Sequence, residues 1–439
     1  MDFIKSASET TRHSLKVGIS VKWHQARPVS SDLFGRCRLR ILTFTTLYPN
    51  LLQPQHGIFV ETRLRKLLAS GVVSARVVAP CPWFPFASAR FGRYAVFARM
   101  PSEETRHGLH VERPRYPVLP RIGMSAAPLA LCAAVLPFLR RQIRDGHDFD
   151  LIDAHYFYPD GVAAVLLGRA LDRPVIVTAR GSDLNIIAQH AVPRSWIRWA
   201  ARRADGLVTV SSGLKRRLVE LGVGADRVRV LRNGVDLALF RPHDREAGRA
   251  ALGFTRPTLL AVGNLVALKQ HWLMVEALTH LPEVELVIVG EGPERTSIEN
   301  LARERKVADR VRLLGRVPQD RLPEIYSAAD LLLLVSTHEG WPNVLLESMA
   351  CGTVVVVSPM DGIADIVATA EAGRILADVT PSGLARVIRE FLAAPPSRAA
   401  TRLYAEQFDW QSTTDGQIAL FHEILGRRSK VRPAPVHAA

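Results

Sequence analysis

Cysteine is scarce in this chain. Its four copies, Cys37, Cys81, Cys132 and Cys351, lie far apart and include no CxxC pair, which excludes a disulfide framework and a cysteine zinc site. That usage fits a reducing cytoplasm. Long apolar runs are lacking too. The most apolar stretch, residues 124–139 (MSAAPLALCAAVLPFL), falls short of the ~20 residues that a bilayer span needs and carries Pro128 and Pro137, so it reads as a buried or interfacial helix. The opening MDFIKSASETTRHSLKVGIS has charges but no apolar core of a signal peptide. No internal repeat is visible, and the glycine fingerprint of dinucleotide binding is broken. Gly290-Glu291-Gly292-Pro293 follows an apolar run and opens a helix, yet Arg295 stands where the third glycine should pack helix on strand, which argues against a dehydrogenase.

With 48% hydrophobic and 23% charged residues, the chain has room for two core-bearing domains plus extensions. The net charge of +15 is unevenly spread. Residues 1–240 carry 35 Lys and Arg against 18 Asp and Glu, whereas 241–439 carry 22 against 24. The first half therefore faces something anionic, either phospholipid headgroups or a phosphate-bearing acceptor. Nucleic acid is excluded as a partner, because no basic stretch carries the interleaved aromatics or module signatures of a nucleic-acid binder.

From residue 39 onward, apolar runs alternate with helix-length segments, the pattern of doubly wound parallel sheets. Strands are predicted at 39–45, 75–79, 151–155, 174–178, 206–211 and 228–231, and again at 258–262, 285–289, 311–314, 331–336 and 354–358. The stretch 80–121, rich in Pro, Phe and Arg, shows no clear period and reads as an irregular excursion with short strands. The Asn233-Gly234 turn and Pro242 mark a linker. The expected organisation is a poorly ordered extension at 1–37, or else an over-early start codon, then domains at 38–235 and 236–395, a C-terminal helix at 396–426 and a disordered tail at 427–439.

Residues 337–352 (THEGWPNVLLESMACG) lie between the apolar runs LLLLVS and TVVVVS, which predicts strand, loop, helix, strand. Pro342 suits a first helical turn and Gly352 a C-cap. The helix start at Gly340, Trp341, Asn343 and Val344 would present unpaired N–H groups able to hold a diphosphate, with Pro342 contributing none. Glu347 falls one turn below Asn343, about 6 Å along the axis, where a carboxylate can accept two hydrogen bonds from a vicinal diol such as a ribose. A glycosidase needs two carboxylates facing each other about 5 to 10 Å apart across a sugar. A loop Glu339 and a helix Glu347 beside an anion-binding helix start fit a nucleotide better.

The segment resembles the Glu-x7-Glu motif of the retaining family 4 glycosyltransferases of GT-B fold. That resemblance implies an α/β protein of two doubly wound, Rossmann-like domains facing a central cleft. It also implies transfer of a sugar from a nucleotide-sugar donor to a hydroxyl acceptor with retention of configuration, without metal or cofactor. Glu339 would contact the donor sugar, Glu347 the ribose, and the amides around Trp341 to Val344 the diphosphate. After the strand 258–262 and Gly263, the stretch NLVALKQ places Lys269 where the family has its diphosphate lysine. Asn264 stands where the family has an arginine, and brings hydrogen bonds without charge. The loop Gly290-Glu291-Gly292 resembles a donor-domain loop, and Gly315-Arg316-Val317 the turn whose backbone meets the nucleotide base. The last helix of such proteins crosses back to the N-terminal domain.

In the first half, Gly57 alone represents the family's glycine-rich loop. The segment from His155 to Asp160 resembles one that lines the cleft, and Arg180-Gly181-Ser182-Asp183 matches a segment that commonly reads His-Gly-x-Asp. Arg180 stays protonated and cannot act as a base, though it can bind a sugar hydroxyl or a phosphate. His155 becomes the nearest candidate for a cleft histidine, the alternative being a histidine packed at a strand end. Catalytic roles are expected for Glu339, Lys269, Arg180 and His155, and acceptor-side roles for Gly57, His155, Asp160, Arg180, Gly181 and Asp183. No protein nucleophile is needed if the donor's own phosphate oxygen helps to deprotonate the acceptor. Asp148-Phe149-Asp150 imitates a metal motif but precedes its strand, at the end opposite to α/β sites, so no metal is expected. The acceptor is expected to be a lipid-linked or polysaccharide precursor at the cytoplasmic membrane face. Rival readings are a GT-B epimerase or phosphorylase, or a non-catalytic nucleotide-sugar-binding protein.

Overall fold

The computed structural model describes residues 38–118 and 123–431; the expected extension at 1–37 and the end of the tail lie outside the described residues. In chain order the strands are β1 (Leu39–Phe44), β2 (Val73–Val78), β3 (Cys81–Pro82), β4 (Glu103–Arg106), β5 (Leu109–Glu112), β6 (Arg115–Tyr116), β7 (Leu151–His155) and β8 (Val175–Ala179). They continue with β9 (Gly206–Thr209), β10 (Val228–Val230), β11 (Thr258–Val262), β12 (Glu285–Val289), β13 (Val311–Gly315), β14 (Leu331–Leu334), β15 (Val355–Val357) and β16 (Gly373–Ile375). An eight-stranded sheet runs β10-β9-β8-β7-β1-β2-β5-β4 and a six-stranded sheet β13-β12-β11-β14-β15-β16, with β3 and β6 forming a short ribbon. Within both sheets only β4 with β5 is antiparallel. The two units are Rossmann-like. Their central strands, such as VIVTA in β8 and LLLL in β14, are buried at every residue, as only helix cover on both faces permits.

Each strand order reverses once. In the first sheet the chain steps from β1 to β2 on one side and to β7 on the other; in the second, β11 is flanked by β12 and β14. Ligand crevices open at such reversals, beyond the carboxyl ends of the strands. Topology therefore selects four loops, those following β1, β7, β11 and β14.

The excursion after β2 is more regular than its sequence suggests. It holds the helix Arg93–Arg99 and the β4–β5 hairpin, whose turn uses positive φ at His107 and Gly108. Next comes the helix Gly123–Arg144, whose Leu131, Val135 and Leu139 face the core while Met124 and Leu129 are half exposed. By length and composition this helix could cross a membrane, and one side of it, through Leu131, Val135 and Leu139, packs on the core.

The C-terminal segment departs from expectation. The helix Arg398–Glu406 stays with the second sheet, where Arg402 donates to the carbonyls of Phe240 and Ala350. The return to the first sheet is made only by the helix Gln411–Val431, so the crossing element begins at residue 411 and not at 396. Its Leu420, Phe421 and Ile424 join the core of Ile41, Val60 and Leu64. The helix runs past Gly426 into the segment read as a disordered tail, since Arg427 pairs with Glu423 and Arg428 donates to the Asp172 carbonyl at 3.0 Å. The linker is strapped by the same region, with the Val235 amide bonded to the Phe408 carbonyl.

Candidate functional site

A cleft of about 580 Å³ lies where the four selected loops meet. The first sheet contributes His56, Gly57, Phe59, Tyr156, Arg180, Ser182 and Asn185; the second contributes Asn264, Lys269, Arg316, His338, Glu339, Gly340 and Trp341. A neighbouring recess of about 220 Å³ is lined by Gly263, Asn264, Gly290, Glu291, Arg316, Val317, Val344 and Glu347.

Lys269 and Glu339 form an ion pair at 2.6 Å, each less than a fifth exposed. Lys269 ends a short 3-10 turn after β11, and Glu339 sits in the loop after β14, so the reversal of strand order brings them together. The helix Asn343–Ala350 begins right after this loop, with Pro342 at its N-cap and Gly352 past its end at φ 83°. The chain thus enters the helix one residue later than a proline inside the first turn implies. The first amides, those of Asn343 and Val344, precede the ladder and have no carbonyl one turn back to bond. One turn in, Glu347 accepts the Tyr326 hydroxyl at 2.9 Å, and burial pushes its carboxyl up to about 7. A group titrating there holds a proton that a hydroxyl donor would displace.

The halves also touch directly. Gly181 and Gly340 pack backbone to backbone: a Cβ on Gly340 would lie 1.8 Å from the Arg180 carbonyl oxygen. Asn185 Nδ2 donates to the Glu339 carbonyl at 3.1 Å, and Gln55 Nε2 to the Val317 carbonyl at 3.0 Å. Gly290 is similarly tight, because its Cβ would meet the Gly263 carbonyl oxygen at 1.8 Å. Gly292 packs on Leu265 and Gly315 accepts the Gly290 amide through its carbonyl, so these two shape the loops of the recess and do not line it.

Several expected site residues lie behind the cleft. His155 is buried, and burial pushes its imidazole down to about 4. Arg180 Nη2 lies 2.7 Å from its Nδ1, and a guanidinium only donates, so His155 is the neutral tautomer with the proton on Nε2, 3.4 Å from Asp153 Oδ2. With both nitrogens occupied it holds Arg180 and does not reach a ligand, which corrects the expectation of a catalytic histidine there. Asp160 is buried against Thr45 and Thr46, accepting the Thr46 amide at 2.6 Å, and ties the end of β1 to the loop after β7. Asp183 accepts the amides of Phe157 and Gly181, both at 2.7 Å, and shapes the turn that carries Arg180. Both are wholly buried, so they act as loop supports in the first sheet and not as ligand contacts. The Asp148 and Asp150 carboxylates pair with Arg173 and Arg40 at the opposite end of β7.

Other cleft residues escaped the sequence reading. His338, next to Glu339, bonds Thr337 through Nδ1 at 3.0 Å and keeps a buried Nε2 without a partner. Tyr156 and Ser182 share a hydroxyl bond of 2.9 Å. Adjacency to Glu339 was the available signal for His338; Tyr156 and Ser182 fall inside the segments 155–160 and 180–183 that the sequence singles out, without a role of their own there, and nothing local marked Asn185.

The chain is similar to known glycosyltransferases in sequence and in fold. The family model described as glycosyl transferases group 1 matches residues 244–408, and that described as glycosyltransferase family 4 matches residues 86–239. The putative teichuronic acid biosynthesis glycosyltransferase TuaC of Bacillus subtilis is 29% identical over 337 residues, covering 75% of this chain and 83% of that one. The D-inositol 3-phosphate glycosyltransferase of Acidothermus cellulolyticus is 31% identical over 331 residues, covering 69% and 73%. Among solved structures, sucrose-phosphate synthase from Thermosynechococcus elongatus superposes with a TM-score of 0.72 at 20% identity, covering 89% of this chain and all of that one. Anabaena HepE in complex with UDP and glucose gives 0.66 at 20% identity, covering 87% and 98%.

Proposed function

Since the chain belongs to glycosyltransferase family 4, the group 1 glycosyltransferases of GT-B fold, we propose that it moves a hexosyl- or N-acetylhexosaminyl-type sugar from a nucleotide-diphosphate-sugar donor to a hydroxyl acceptor with retention of configuration. The observation that carries this reading is the Lys269–Glu339 pair beside the start of the Asn343–Ala350 helix, with Glu347 one turn in. The helix start and Lys269 take the diphosphate, Glu347 accepts the ribose hydroxyls, and Glu339 faces the sugar. Charge on the leaving group is met by these protein groups without a metal, and the acceptor enters from the first sheet.

Thermal-shift titration with UDP-, GDP- and ADP-sugars tests the donor site, because a ligand of the folded state raises the midpoint by mass action. One nucleotide series is expected to stabilise the protein, and Glu347→Gln to abolish most of that shift. Hydroxyls of the ligand donate to ionised Glu347, so binding releases its proton, and affinity is expected to rise with pH up to about 7 and then level. A flat profile in the parent would remove the Glu347 assignment.

The acceptor is proposed to be a lipid-linked or polysaccharide precursor met at the cytoplasmic face of an anionic membrane. The basic first half supports this, as does the Gly123–Arg144 helix, which ends in exposed Arg140, Arg141 and Arg144. Trp83 and Phe86, both more than half exposed, follow the β3–β6 ribbon that packs on this helix. Aromatic and basic side chains around an apolar helix suit a membrane interface. Flotation with anionic vesicles is expected to carry the protein upward at low salt and release it at high salt; failure to float at low salt rejects the membrane site.

A further inference from the structure

Three cations line the cleft, and only one of them lacks a carboxylate. Lys269 is neutralised by Glu339, and half-exposed Arg316 by Glu291 at 3.3 Å. Arg180 is 8% exposed and has no carboxylate at ion-pairing distance among the described residues. Its Nη1 donates to Asn233 Oδ1 at 3.1 Å, its Nη2 to the neutral His155, and its Nε is buried without a partner. The nearest acids are engaged elsewhere: Asp153 accepts Gln417 Nε2 at 2.7 Å, and Asp183 accepts backbone amides. Burial, with the Arg63 charge behind it, makes ionised Arg180 costly. A guanidinium does not give up its proton to escape that cost; Asp153 and Asp183 offset part of it from beyond ion-pairing distance, and an anion in the cleft would offset more.

The hydrogen bonds also tie Arg180 to the start of the Asn343–Ala350 helix. Asn233 Nδ2 donates to Asn343 Oδ1 at 3.3 Å, and Asn343 is the first residue of the Asn343–Ala350 helix. Arg180 is therefore held two hydrogen bonds from the helix start that faces the cleft. On the other side Asn264, at the end of β11, brings no charge to the same space.

We propose that Arg180 is a catalytic residue that binds the leaving nucleoside diphosphate, supplying from the first sheet the cation that Asn264 does not supply from the second. The proposal rests on the donor-site reading given above. As the anomeric C–O bond breaks, its electron pair stays on the diphosphate oxygen. The acceptor oxygen forms the new bond to the anomeric carbon, and its proton passes to a phosphate oxygen. Arg180 and Lys269 then face the accumulating charge from opposite sheets, where preorganised cations are most effective. Asn233 and His155 act as positioning residues.

Arg180→Met deletes the charge and keeps an apolar stem against the Phe59 ring, which lies 5.4 Å from the guanidinium. Calorimetry with UDP, GDP and ADP, and with the matching monophosphates, reads the effect. For whichever base the parent binds, diphosphate affinity is expected to fall at least about tenfold and monophosphate affinity less than about twofold, while kcat/KM falls about 100-fold. Adding Asn264→Arg is expected to recover about tenfold of the diphosphate affinity. A merely structural role would weaken both nucleotides alike and resist rescue from the other sheet; that outcome, or unchanged diphosphate binding in Arg180→Met, overturns the proposal. Should Arg180→Met not fold, Arg180→Gln, which can still donate to Asn233, is put through the same comparison. A parent that binds none of the three diphosphates removes the donor-site reading itself, which is a different result from a parent that binds and a variant that is indifferent.

Discussion

Gly340→Ala is expected to cut turnover about 100-fold or more while leaving the thermal midpoint within a few degrees of the parent. The added Cβ would meet the Arg180 carbonyl oxygen at 1.8 Å and the Gly181 Cα at 2.7 Å, far inside the ~3.5–4 Å that carbon contacts prefer. Both neighbours are backbone, so no rotamer change relieves the clash and the two halves must part. Parting them at this point leaves the strands and the separate cores of both sheets in place and loosens local contacts such as Asn185 to the Glu339 carbonyl, while Ser212 to Asp365 and Arg217 to Asp361 lie elsewhere along the seam. It costs catalysis heavily, because a misplacement of ~1 Å between reacting groups lowers rates by ~10²-fold. Nucleotide affinity should change less, since Lys269, Val344 and Glu347 all belong to the second sheet's side. Parent-like turnover in this variant would show that the reaction does not need the closed contact.

Lys269→Met is expected to lower kcat/KM by about 10³-fold, at the upper end of what losing one charge-stabilising donor costs. Two losses combine. The ammonium that faces the leaving diphosphate disappears, and Glu339, less than a fifth exposed, is left as an unpaired carboxylate beside an anionic ligand. Single-turnover rates at saturating donor separate the two effects. Slower chemistry reports the missing cation, and weaker donor binding reports repulsion from Glu339. A change under about threefold in both would remove Lys269 from the reaction.

Much of this architecture was legible in the chain because parallel strands buried on both faces must be unbroken apolar runs. β7, β11 and β12 begin and end where the sequence predicts them, and the helix carrying Glu347 stands between β14 and β15. Elements without such runs were missed. β16 at the sheet edge has residues that are at most partly buried, and the β4–β5 hairpin reads EETR and LHVE, with no continuous apolar signal. The catalytic half-sites were visible for the same reason as the strands, since each follows a strand end. What joins them was not. Gly181 meets Gly340, and Arg180 reaches Asn343 through Asn233, across separations that leave no local pattern. His155 stood as the nearest candidate for a cleft histidine, with a histidine packed at a strand end as the alternative; the alternative holds, because Asp153 and Arg180 close over it.

The returning C-terminal helix has a consequence for synthesis. The first sheet's core takes Leu420, Phe421 and Ile424 from a helix that begins only at Gln411, and Gln417 satisfies Arg63 and Asp153 beneath the cleft. During translation the half made first is therefore the half finished last. A ribosome-bound chain stopped before residue 411 should present a protease-sensitive first sheet beside an intact second one, and release of the final helix is the event that completes the first.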